Sequence, residues 1–139
     1  MGSIVLVEQP NGDNVDIIDG QQRLITLCIL VALLRHLAGT DAGLHDEIGQ
    51  LLSIPESRIK GLDERPRLCV RERDRAFFDT FIVGDNIDSL LDIDASALTP
   101  TSVRRIYDNA RAMLDALIDP DALPPSETQN FVQYLMLQV

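Results

Sequence analysis

The sequence predicts an α+β, mostly helical fold: a short N-terminal β-hairpin feeding a central buried helix, with several helices packed around it. Three observations predict it. Two short apolar runs rich in β-branched residues, at 3–8 and 15–18, flank a turn containing Pro10, Asn11, Gly12 and Asp13. From Leu24 to Leu34 only Thr26 is polar, so this helix is apolar nearly all round and belongs inside a core. Further along, apolar residues recur at helical spacing.

Composition narrows the function. The 139 residues make one domain by size, able to bury roughly 68% of its unfolded surface. The 45% apolar content is ordinary for a globular protein and argues against a disordered chain. A net charge of −10 argues against DNA binding by the surface as a whole, because such affinity comes from neutralising phosphates. Cys28 and Cys69 both read as small buried hydrophobes, and without a CxxC pair or Cys/His cluster a zinc site is not expected. His36 and His45 stand alone and read as structural or solvated. The N-terminus has no basic leader before an apolar core, and the apolar run is short of the ~20 residues that span a bilayer. A cytoplasmic chain without a membrane partner is therefore expected.

Taken in order, residues 3–8 and 15–18 form the two hairpin strands, joined through the turn at 9–14. The second strand runs directly into Asp19-Gly20 and a helix over 20–38, which Gly39-Thr40 stops. Thr40 caps a shorter helix over 41–53, with Leu44, Ile48, Leu51 and Leu52 on one face, and Ile54-Pro55 ends it. Residues 56–66 read as a polar loop, and 68–70 as a short strand. A helix over 72–83 follows, burying Phe77, Phe78, Phe81 and Ile82.

Residues 84–98 form an acidic loop with one helical turn. Its resemblance to a calcium loop fails, because Ala97 stands where glycine is needed and Val103 where glutamate is needed. Thr99-Pro100 starts a helix whose apolar stripe is Val103, Ile106, Tyr107, Ala110, Met113, Leu114 and Leu117. Asp119-Pro120 ends it, Pro124-Pro125 is a rigid connector, and a capping box from Ser126 to Gln129 opens a last helix. The abrupt first and last residues read as a truncation, so 1–139 is expected to be a single partial domain. Its parts are the hairpin and central helix at 1–38 and a mainly helical remainder at 39–139.

The chemistry concentrates in Asp19-Gly20-Gln21-Gln22-Arg23. Helix capping accounts for Asp19 as N-cap and Gln22 as the third helical residue. It does not account for Arg23, a cation at the positive end of the helix dipole, unfavourable by ~0.3–1 kcal/mol. Nor does it account for Gly20, which costs ~1 kcal/mol inside a helix. A bound anion resolves both conflicts: helix N-terminal amides bind phosphate, glycine allows close approach, and arginine adds a bidentate fork. A second candidate is the basic run Arg65, Arg67, Arg71, Arg73 and Arg75, either a phosphate-contact strip or a solvated face paired with Glu64, Glu72, Asp74 and Asp79.

The stretch Val15-Asp16-Ile17-Ile18-Asp19-Gly20-Gln21-Gln22-Arg23-Leu24-Ile25-Thr26-Leu27 closely resembles the signature of the GmrSD-type restriction endonuclease N-terminal domain, the DGQQR-motif family. Gly2-Ser3-Ile4-Val5-Leu6 upstream, and Pro66-Arg67-Leu68 with Arg73-Asp74-Arg75-Ala76-Phe77-Phe78 downstream, resemble further blocks of that family. The resemblance implies a ParB- and sulfiredoxin-like nucleotide-binding domain. Asp19, Gly20, Gln21, Gln22 and Arg23 would line nucleotide phosphates, with Gln22 and Arg23 the catalytic pair for hydrolysis. The cofactor implied is GTP, CTP or ATP, with a divalent metal as companion.

The implied setting is bacterial defence against modified foreign DNA, with DNA engaged through other parts of the parent protein and an HNH-type nuclease domain elsewhere in its chain. The family's upstream Tyr- and Arg-bearing motif is not in this sequence, nor is an HNH pattern. The piece by itself is therefore expected to be inactive as a nuclease and weak as an NTPase. An apolar surface left by truncation would favour a homodimer. The competing expectation is a non-catalytic DNA-recognition or protein-interaction module built on the arginines from 65 to 75.

Overall fold

The structure, a computed structural model, describes residues 5–8, 10, 15–38, 41–118, 127, 130, 133 and 134. Strands β1 (Val5–Glu8) and β2 (Val15–Asp19) pair antiparallel, which is the expected hairpin. The register slips between Val5 and Leu6: Val5 faces Asp19 and Leu6 faces Ile17, leaving Ile18 as an extra residue. Such a bulge sharpens local twist, here immediately before the strand-to-helix junction.

Helix α1 (Gln21–Ala38) is the hub, packing against α2 (Ala42–Gly49), α5 (Thr101–Ile118), α4 (Ile87–Leu91) and the π-helical segment Asp79–Val83. By length and composition alone α1 would suit a bilayer crossing, but 39% of it is buried inside the protein, including Ile25, Ile29, Leu33 and Leu34. Its burial follows from the all-round apolar sequence, which gives several neighbours a surface to cover. Phe78, Ile82, Ile87, Leu90, Ile106, Ala110 and Leu114 complete the same core. On α5 the predicted stripe is the buried one: Val103, Ile106, Tyr107, Ala110 and Leu114 are buried and Met113 is partly so. The architecture is α+β and mostly helical, as the sequence predicts.

Several local expectations are corrected. The cap of α2 is Asp41, whose Oδ1 accepts from the Leu44 amide at 3.1 Å. The helix stops at Gly49 rather than 53, so Leu51 is left exposed while Ile48 and Leu52 are buried. The strand expected at 68–70 is not formed. Pairing is taken instead by β3 (Ser53–Ile54) and β4 (Arg65–Pro66), and the Arg67 amide extends the ladder to the Leu52 carbonyl at 2.9 Å.

The residues predicted as a loose polar loop are thus a hairpin, closed further out by reciprocal bonds between Ser57 and Leu62 at 2.8 and 3.0 Å. Cys69 is exposed, against expectation, and Cys28 partly buried. The predicted 72–83 helix divides into α3 (Glu72–Phe78) and the π-helical segment, with Phe78 and Ile82 fully buried. The acidic stretch holds α4 and a 3-10 turn at Ala95–Ala97, more order than one turn. Helix α5 starts one residue late, since the Pro100 carbonyl receives the Val103 and Arg104 amides.

The turn at 9–14 apart from Pro10, the stop at Gly39-Thr40, the Leu117 side chain and the boundary at Asp119-Pro120 lie outside the described residues. So do the Pro124-Pro125 connector and, single residues apart, the final helix with its capping box.

Candidate functional site

The motif turn sits where β2 ends and α1 begins. Gly20, not Asp19, is the N-cap: its carbonyl accepts from the amides of Arg23 at 3.0 Å and Leu24 at 3.1 Å. Asp19 remains in the β2 ladder opposite Val5. The capping box predicted for Asp19 and Gln22 is therefore displaced by one residue, and Gln22 is the second helical position. Gly20 has φ +96°, a backbone region in which a Cβ is strained. Its glycine is accounted for by this chain reversal, which drives the strand directly into the helix.

Arg23 is an exposed cation in the first turn of an 18-residue helix. The first-turn amides of Gln21 and Gln22 have no acceptor within the helix. Gln22 is exposed, Gln21 half-buried. Thr26 Oγ1 donates to the Gln22 carbonyl at 2.8 Å, tying the first turn to the second. The turn therefore presents oriented N–H groups, two amide side chains and one guanidinium at the positive end of a rigid rod. That arrangement suits an oxyanion. Among the described residues no group of three or more His, Cys, Asp or Glu side chains is placed to hold a metal ion.

The opposite end of α1, roughly 18 Å along the axis from Arg23 to Arg35, holds a polar cluster that sequence reading missed. Arg35 is buried, 5% exposed, in the middle of an apolar seam. Nη1 donates to the Val83 carbonyl at 2.9 Å, and Nη2 donates to those of Ile82 at 3.1 Å and Gly84 at 2.8 Å. These are the orphan acceptors at the end of the π-helical segment, which a cation satisfies both by hydrogen bonding and by charge. Neighbouring carbonyls are also served: Gly84 N donates to Asp79 O at 2.8 Å, and Asn86 Nδ2 to Thr80 O at 3.2 Å. Arg35 Nε lies 3.6 Å from Asp85 Oδ1 without a hydrogen bond. Burial lowers the Arg35 pKa, and Asp85 and Glu64 work against that shift.

Asp85 also binds His45 Nε2 at 2.8 Å, fastening α2 to the residues that follow the π-helical segment. His45 Nδ1 faces Asp46 at 3.5 Å. Hence His45 does not stand alone, whereas His36 is exposed. His36, His45, Asp85 and Asp88 line a cleft of about 270 Å³. Forty residues separate His45 from Asp85, so no local pattern announces the pair. The signal that was available was Arg35 itself, a charge directly following ten apolar residues and one threonine.

Two of the carboxylates near the basic run are hydrogen-bonded to serines. Asp74, 4% exposed, accepts from Ser102 Oγ at 2.5 Å, joining α3 to α5, and Glu64 accepts from Ser53 Oγ at 2.9 Å. Among the described residues none of Arg65, Arg67, Arg71, Arg73 and Arg75 forms a salt bridge. Arg67 Nε donates to the Gln50 carbonyl at 2.7 Å. Burial raises the Asp79 pKa, with the Arg75 charge opposing. Comparison with family models, curated proteins and solved structures found no match.

Proposed function

We propose that the turn of Asp19, Gly20, Gln21, Gln22 and Arg23 binds the phosphates of a nucleoside triphosphate. On this reading the chain is the nucleotide-binding regulatory domain of a restriction protein directed at modified foreign DNA in bacterial defence. The observation that carries the reading is an exposed arginine in the first turn of a long helix whose leading amides lack intrahelical acceptors. The motif's resemblance to the DGQQR family supplies the identity of the anion.

The amides of Gln21 and Gln22 and the Arg23 guanidinium bind phosphoryl oxygens, and Gly20 keeps the approach clear of a Cβ. Gln22 orients the attacking water. Arg23 offsets charge that develops on the transferred phosphoryl group. Asp19 would hold either Arg23 or a divalent cation bound with the nucleotide. GTP, CTP and ATP share the triphosphate that these groups recognise. Hydrolysis gates an HNH-type nuclease carried elsewhere in the parent chain, which engages the DNA.

Isothermal titration of the chain with each nucleotide, with and without Mg²⁺, tests this. Charge-assisted hydrogen bonds contribute about 1.5–3 kcal/mol, so Arg23→Ala is expected to weaken binding roughly 10- to 100-fold. Equal affinity of the two proteins for every nucleotide would refute the phosphate role of Arg23.

A further inference from the structure

We draw no further inference here: the strongest candidate, the cleft lined by His36, His45, Asp85 and Asp88 beside the C-terminal half of α1, is a side-chain cluster whose one close contact, His45 to Asp85, is accounted for by fastening α2 to the residues after the π-helical segment, and nothing in the structure shows what would occupy it.

Discussion

Replacing Arg35 by methionine removes the one side chain that reaches all three carbonyls of Ile82, Val83 and Gly84. Methionine keeps most of the aliphatic volume, so the loss is polar rather than a cavity. A buried acceptor left without a partner costs about 1–3 kcal/mol. One of these bonds is fully buried and two are partly so, which lets water recover part of the loss. Asp85 is 53% exposed and returns to solvent at little cost.

The expected destabilisation is therefore about 3 kcal/mol, a large share of the roughly 5–15 kcal/mol that holds a domain together. Arg35→Lys retains the charge but replaces a planar fork with a point donor, and is expected to lose about 1–2 kcal/mol. Urea unfolding followed by circular dichroism reads this as a lower midpoint at unchanged slope. A loss below about 1 kcal/mol for Arg35→Met would refute the reasoning, since it would mean the carbonyls rehydrate without cost.

Gly84→Ala is expected to destabilise by about 1–3 kcal/mol in thermal melts, because its Cβ would meet the backbone oxygens of Thr80 at 2.6 Å and Asp79 at 3.1 Å, which cannot rotate away. Gly20→Ala forces a side chain into φ +96° and is expected to cost about 1–3 kcal/mol; an unchanged melt would contradict the N-cap assignment. Ser102→Ala leaves the buried Asp74 carboxylate without its hydroxyl donor and is expected to lower stability by about 1–3 kcal/mol, read from the urea midpoint.

Burial pushes the Cys28 thiol up to about 11, against 9.0 for a free cysteine. Iodoacetamide at pH 8 is therefore expected to label Cys69 first and Cys28 only on unfolding, as read by peptide mass spectrometry. The same shift makes stability fall with rising pH. The unfolded thiol ionises from pH 9.0 while the folded one holds its proton to about 11, so the contribution is complete below 9.0 and lost across that window.

The hairpin, the central helix and the α5 stripe were legible because each is a local property. Two β-branched runs around a turn have few alternatives. An apolar helix must be covered, and a 3.6-residue period picks out one face. The motif turn was legible as composition and as a break of helix rules. Its geometry was not: φ at Gly20 and the bulge at Ile18 depend on how β2 meets β1 and α1. The 68–70 strand failed for a related reason. A strand exists only with a partner, and Ser53–Ile54 pairs with Arg65–Pro66 instead.

By itself, then, the sequence determined the first hairpin, the long helices α1 and α5, the apolar face of α5, and that a cation, Arg23, falls in the first turn of α1. All of these follow from steric preference and periodicity within a few residues of chain. Only the tertiary structure decided that Arg35 closes the π-helical segment 48 residues away, and that His45 meets Asp85. It also decided that Ile59 stands clear of the core at the tip of the β3–β4 hairpin. Partner choice across such separations is set by which elements pack against the buried side of α1, and that arrangement is a property of the packed whole.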